Sequence, residues 1–363
     1  MIFSLAFSFF QISDLSRRWE DAIPKASAHV LQAVSEGEGP GISVAVGQGK
    51  HVIWAAGFGY ADIENKLSVK PSSLFRVGSV SKTLTASALM RLWDQGKVDI
   101  DRSLRSYVPQ WPEKHSSFST RQVAGHLAGV RHYKGVEFLM NRSFPSISSS
   151  MEIFQDDPLG SVPGTTYSYS TYGWTLVSAV IEKVGEKPFL EVMYEEVLKP
   201  LKLENTIPDC VDEEILERVL FYQGRDSRFI LTPEVDNSYK WSGGGYLSTP
   251  SDLVRFGLHH LEPGYLSKEA LGQLHTSQRT VKGKKTNYGI GWKMGKHKRL
   301  GAWVGHSGGS IGGTTMFLLF PEKEISVAVA INNSDGPARS LAFLIAQEFF
   351  PVSQGDAPST QMR

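Results

Sequence analysis

Residues 75–85 read FRVGSVSKTLT, with Ser79 followed three places later by Lys82. The segment from Val80 to Gln95 carries Leu84, Ala88, Leu89 and Leu92 at helical spacing and stops at Gly96, the residue type that takes a left-handed C-terminal position. Ser79 therefore opens a helix, and positions i and i+3 share a face, so the hydroxyl and the amine can meet. A serine hydroxyl is a weak nucleophile until a neighbour takes its proton, and a lysine desolvated among apolar groups has its pKa lowered enough to do so. The helix N-terminus also points free N–H groups at the reacting oxygen, as a tetrahedral oxyanion requires. On its own the pair reads more readily as an N-cap serine followed by a lysine on a solvated face. Phe75, Val77 and Val80 surround it with apolar side chains, which favours the buried reading.

Outward from this helix, GISVAVGQGKHVIWAAGFG (41–59) reads as a hairpin: Ile42, Val44 and Val46 on one strand face, a turn at Gln48-Gly49-Lys50, and a second strand from His51 to Ala56. Before it, Trp19, Ile23, Ala26, Val30 and Val34 recur every three to four residues from Leu15 onward, the period of an amphipathic helix that Pro24 kinks or opens. From Ser103 to about Asp236 helix-length segments joined by loops dominate, with Tyr172–Val184 and Phe189–Leu198 the clearest. Thr249-Pro250-Ser251-Asp252 supplies an N-cap, a proline at the first helical position and an acid three residues after the cap. Strands are expected at Tyr288–Met294, Ala302–Gly308, Thr315–Phe320 and Ile325–Ile331, closed by a helix from Ala338 to Phe349. Strands at both ends with helices between them predict one sheet built from both termini: residues 15–102 plus 237–350 form one unit and 103–236 an inserted helical domain.

Composition limits the function. The 363 residues are 41% hydrophobic and 21% charged with a formal net charge of +1, so no global field points to nucleic acid or an acidic membrane surface. Cys210 is the only cysteine, which excludes an internal disulfide and a finger-type zinc site. His259 and His260 are adjacent and point apart on a helix, unlike the i, i+4 pair of a zinc hydrolase. Gly57-Phe58-Gly59 lacks the third glycine of a dinucleotide fingerprint, and no Walker-type motif occurs, so no cofactor and no metal is expected. The basic residues Lys282, Lys284, Lys285, Lys296, Lys298 and Arg299 read as a solvated hairpin rim. The apolar run from Ile2 to Phe10 is too short to span a bilayer, so stable membrane insertion is not expected. Residues 1–14 read as a targeting segment or a disordered end, and 351–363 as a disordered tail.

Two further stretches bear on the serine. In PGTTYSYSTYGW (163–174), Tyr169-Ser170-Thr171 lies in a loop before a helix, where a phenol in a cleft serves as general acid or base, or simply packs at a turn. In GHSGGSIGG (305–313), His306 lies on a predicted strand whose glycines let a substrate backbone approach closely. Serine-lysine, tyrosine and histidine-glycine strand, in this order, resemble the serine β-lactamase and penicillin-binding-protein family of the class C type. FRVGSVSKTLT, LWDQGKVDIDRSL, HLAGVRHY, YSYSTYGWTL, GGGYLSTPSDLVRFG, YGIGW and GHSGGSIGG are all similar to its mitochondrial branch, over about Trp19 to Phe349.

That resemblance implies an α/β sandwich with an antiparallel sheet plus an inserted all-helical domain, and a site in the cleft between them. It implies Ser79 as acylated nucleophile, Lys82 as its proton acceptor and Tyr169 as proton shuttle. The oxyanion hole would be the N–H groups of Ser79 and Gly309. Thr171, His306, Ser307 and Gly308 would bind substrate, with His306 at its acidic or polar end. Thr171 stands where the broader family commonly has asparagine, and His306 where penicillin-recognising members have lysine. Both departures resemble the mitochondrial branch and imply a serine peptidase acting on a peptide or small acyl substrate, with an esterase, a weak β-lactamase or a non-catalytic, filament-forming scaffold as the alternatives. A mitochondrial location, or alternatively secretion, and assembly into homo-oligomers or filaments are further expectations from the resemblance.

Overall fold

The computed structural model describes residues 19–350 except residue 114. The expected targeting segment, the onset of the first helix at Leu15 and the C-terminal tail lie outside the described residues. Helix α1 (Ala22–Ser35) holds Pro24 in its first turn, where the missing N–H costs no helical hydrogen bond. The hairpin follows as β1 (Gly41–Gln48) and β2 (His51–Asp62), with β3 (Leu67–Ser68) beside β2. After β4 (Phe75–Arg76) a 3-10 turn over Gly78–Val80 leads into α2 (Ser81–Asp94), and Gly96 takes φ +70° just beyond its end. Helices dominate through α3 (Tyr172–Gly185). Short strands then follow: β5 (Ile207–Pro208) and the hairpin β6 (Tyr222–Arg225) and β7 (Arg228–Leu231). The chain continues through α4 (Trp241–Gly244), β8 (Tyr246–Ser248) and α5 (Pro250–Leu258). Thr249 caps α5 by accepting from the Asp252 N–H at 3.1 Å.

The last third forms β9 (Lys293–His297), β10 (Gly301–Ser310), β11 (Gly313–Phe320), β12 (Ile325–Ile331) and α6 (Ala338–Glu348). The main sheet has seven strands in the order β3-β2-β1-β12-β11-β10-β9, every neighbouring pair antiparallel. The chain-terminal strands thus meet at the β1–β12 seam, where Val44 faces Val329. Because side chains alternate along a strand, the sheet feeds two cores. Ile42, Val44, Val46, Val327 and Val329 pack with α1 and α6 on one face. Ala45, Phe317, Leu319 and Ala328 join α2, α3 and α5 on the other.

One expected strand is corrected. Tyr288–Trp292 is not a strand, which begins only at Lys293. Asn287 and Gly291 take positive φ of 56° and 77°, which breaks the extended run. A Cβ on Gly291 would lie 2.8 Å from the Lys82 carbonyl oxygen, so this loop is wedged beneath α2. No helix among the described residues is long and apolar enough to cross a membrane.

Candidate active site

The turn that carries Ser79 is held by glycines on both sides. Gly78 has φ +50°, and a Cβ there would lie 2.6 Å from the Gly309 carbonyl oxygen and 2.8 Å from its nitrogen. A Cβ on Gly308 would lie 2.0 Å from the Val77 carbonyl. Only glycine permits β10 to press its backbone this closely against the turn. The Gly309 N–H is thereby brought beside Ser79, whose own N–H lies in the opening turn of a helix, where such donors have no intrahelical partner.

Lys82 is fully buried. Its Nζ lies 3.1 Å from Ser79 Oγ, 3.3 Å from Thr171 Oγ1 and in a short contact with the Gly243 carbonyl. Burial, reinforced by the charges of Lys293 and Lys240, drives its pKa well below the ordinary lysine value. A neutral amine has two N–H donors and one lone pair. With the donors directed at Gly243 O and Thr171 Oγ1, the lone pair falls to the Ser79 hydroxyl. Thr171, expected to bind substrate, thus also fixes the rotation of the lysine amine.

The Tyr169 hydroxyl lies 2.8 Å from Ser79 Oγ. Burial raises its pKa far above the ordinary phenol range, so it stays protonated and donates. The His126 ring packs against Tyr169 with centroids 4.3 Å apart and planes tilted by 43°. His126 Nδ1 accepts from the Ser170 N–H at 3.2 Å, so its proton sits on Nε2, a buried donor with no partner among the described residues.

His306 does not meet the cleft as expected. Alternation along β10 turns it away from the face that shows Ser307 and Gly309, and its side chain is 0% exposed. Nδ1 donates to the Ser307 carbonyl at 2.7 Å, which leaves Nε2 to accept from the Tyr288 hydroxyl at 3.0 Å. Burial, reinforced by the charge of Lys293, pushes its pKa well below the usual value, so the ring is neutral. The cation on this side is Lys293 of the neighbouring strand β9, whose Nζ donates to Ser307 Oγ at 2.8 Å and lies 5.8 Å from the Tyr169 ring centroid. Gly308 is buried in the contact with Val77.

One cavity opens at the serine, and a second, which Ser79 does not line, lies beyond Tyr288 and Lys293. The first, of about 320 Å³, is lined by Ser79, Gly309, Thr171, Tyr133, Phe138 and Lys240 among others. The other, of about 570 Å³, is lined by Tyr167, Tyr288, Lys293 and Arg339 on the side where Tyr169 lies. The expected basic rim at Lys282, Lys284, Lys285, Lys296, Lys298 and Arg299 is exposed throughout. Lys240, Lys293, His126 and Tyr288 were not singled out from the sequence. Each lies far along the chain from Ser79, and no local spacing marks them.

Comparison with known proteins agrees with this architecture. A family model described as Beta-lactamase matches residues 26–348. The chain is 28% identical over 434 residues to the human serine beta-lactamase-like protein LACTB, mitochondrial, covering 90% of this chain and 79% of that protein. It is 23% identical over 331 residues to penicillin-binding protein 4* of Bacillus subtilis, covering 86% and 72%. Among solved structures, the octameric penicillin-binding protein homologue from Pyrococcus abyssi superposes with a TM-score of 0.77 at 24% identity, over 90% of this chain and 76% of that one. The beta-lactamase/D-alanine carboxypeptidase from Pseudomonas syringae gives 0.75 at 18% identity, over 91% and 99%. With a family model spanning most of its length and this fold, the chain belongs to the beta-lactamase family.

Proposed function

We propose that this chain is a serine hydrolase that cleaves amide bonds, and so acts as a peptidase, through an acyl-serine at Ser79. The reading rests on one arrangement: Ser79 Oγ held between a buried neutral amine at 3.1 Å and a protonated phenol at 2.8 Å. The Ser79 proton passes to Lys82 as Oγ bonds to the substrate carbonyl carbon. The N–H groups of Ser79 and Gly309 receive the oxyanion. As the C–N bond breaks, the amine departs with a proton delivered through Tyr169, whose own proton is replaced from Lys82. Water then attacks the acyl-serine with the same groups taking its proton, which releases the acid and restores Ser79. An amine leaving group needs that delivered proton, whereas an activated ester does not. A poised phenol therefore favours amide over ester substrates.

The test is intact mass spectrometry of wild type and Ser79→Ala after incubation with a fluorophosphonate and a penicillin. An adduct that maps to Ser79 and is lost in the variant is the expected result. A folded wild-type protein that no probe modifies would remove the catalytic reading and leave a scaffold role for the same fold. The mitochondrial location is proposed from the names of relatives such as the human protein, and assembly from the octameric archaeal homologue. Subcellular fractionation and light scattering check these two.

A further inference from the structure

Lys240 is 5% exposed and lines the smaller cavity beside Ser79, yet its amine makes no hydrogen bond or ion pair with any described residue. The Nζ lies only over the faces of Tyr239 and Tyr133, at 5.0 and 5.6 Å from the ring centroids. Its stem runs past Gly244, whose Cβ position would be 3.8 Å from Lys240 Cδ and 3.7 Å from the Gly78 carbonyl carbon, so the side chain flanks the nucleophile turn. A buried lysine without a counter-charge is costly and rare unless a partner arrives from outside.

No such partner is available among the described residues. No aspartate or glutamate lines the cavity. The nearest influential acid is Asp209, which is already occupied by Arg76 Nε at 2.6 Å, Asn237 Nδ2 at 2.6 Å and Arg218 at 3.5 Å. Arg76 adds positive potential from another element. The cavity is therefore a half-open cleft beside Ser79, with Tyr133 and Phe138 on its wall and a lysine whose charge no lining acid balances.

The geometry also says which end of a substrate enters it. Tyr169 delivers the leaving-group proton from the side of Tyr167 and Lys293. The Lys240 cavity holds Ser79, Gly309 and Thr171, while Tyr167 and Lys293 line only the other cavity, so it receives the acyl portion. We propose that Lys240 is the specificity-determining counter-ion of the acyl site, and that the preferred substrates are amides whose short acyl chain ends in a carboxylate. This rests on the acyl-serine reading above. Tyr133 and Phe138 would cover the methylene stem while the amine meets the carboxylate. Burial and Arg76 lower the Lys240 pKa to about 7, opposed by Asp209, so the free amine charges near neutrality. His132, lowered to about 4, and the buried phenols Tyr133 and Tyr239, raised above their ordinary value, do not titrate in that range.

The test uses two anilides of equal chain length, glutaranilic acid and pentananilide, which differ in a terminal carboxylate against a methyl. Binding to the Ser79→Ala protein is measured by calorimetry from pH 6 to pH 8.5. Glutaranilic acid should bind at least about tenfold more tightly at pH 6, as expected for a charge-assisted hydrogen bond to a buried partner. The preference should fall as the pH rises past neutrality. Lys240→Met in the same background should abolish the preference and Lys240→Arg should retain part of it. Equal binding of the two anilides, or a preference that survives Lys240→Met, overturns the assignment. If a Lys240 variant fails to fold, the comparison of the two anilides and its pH dependence in the Ser79→Ala protein decide the matter. Because this readout needs no turnover, it stands apart from the fluorophosphonate result at Ser79, whose failure would sink the hydrolase reading instead.

Discussion

The Tyr288 hydroxyl donates to His306 Nε2 across 3.0 Å inside a fully enclosed pocket. That bond fixes one imidazole tautomer, because Nδ1 is already donating to the Ser307 carbonyl. Tyr288→Phe leaves a buried acceptor without a partner and should cost about 1–3 kcal/mol of stability. Urea unfolding of the variant measures this, and an unchanged midpoint would mean that the histidine re-pairs.

His306→Lys places an ammonium beside Lys293 and Lys82 in a space with no acid. It should lower stability further than Tyr288→Phe and should not raise acylation by penicillins. A clear gain in penicillin labelling with native-like stability would show that position 306 can reach the cleft.

Lys82→Ala removes the lone pair that faces Ser79 Oγ. Labelling of Ser79 by an acylating probe should slow by about 10²–10⁴-fold, the usual contribution of a positioned base, with the circular dichroism spectrum retained. In the wild type the amine is active when neutral and its pKa is depressed. The acylation rate should therefore rise with pH through that depressed pKa and level off below the ordinary lysine range. A profile still rising at pH 10 contradicts a buried neutral amine.

The parts legible in the sequence are those where a local pattern and the final packing agree. The three-to-four spacing of Ile23, Ala26, Val30 and Val34 is the face that α1 buries, and Thr249 caps α5 as its spacing predicts. Ser79 and Lys82 meet because i and i+3 share a helix face, a relation the sequence carries directly. The YGIGW loop failed as a strand because its buried apolar residues mimic alternation, while Gly291 is demanded by the nearby Lys82 carbonyl. The buried partner of His306 and the free amine of Lys240 depend on segments 18 or more residues away, such as Tyr288 and Asp209. No periodicity encodes those juxtapositions.

Gly78→Ala adds a methyl at φ +50° and 2.6 Å from the Gly309 carbonyl oxygen. The strain and the displaced strand should cost about 1–3 kcal/mol, and the two oxyanion donors should separate. Probe labelling at Ser79 should fall much more than stability does, because the donors must be placed within tenths of an ångström. A variant with wild-type labelling would show that Gly309 does not serve the oxyanion.

Tyr169→Phe retains the ring under His126 but removes the proton relay. Amide cleavage should drop by about 10²-fold or more, while turnover of an activated aryl ester, whose leaving group needs no proton, should drop far less. Equal losses on both substrates would mean that Tyr169 acts on Ser79 alone.

The two buried lysines also tie stability to pH. Lys240 has a folded-state pKa of about 7, against about 10.4 in an unfolded chain. Between these values the unfolded chain binds the proton that the folded protein refuses. Stability conferred on the neutral form must therefore increase as pH rises through this window and be flat with respect to this group below it. The slope from one such group is at most about 1.4 kcal/mol per pH unit. Above pH 10 the buried tyrosines oppose it, since their raised folded-state values favour the unfolded phenolates. The informative quantity is the difference in unfolding free energy between wild type and Lys240→Met from pH 7 to pH 9.5. It should shift in favour of wild type as pH rises, because the methionine variant has no proton to refuse. A pH-independent difference would mean that Lys240 keeps its charge in the folded protein, with a counter-ion drawn from solution into the acyl cavity.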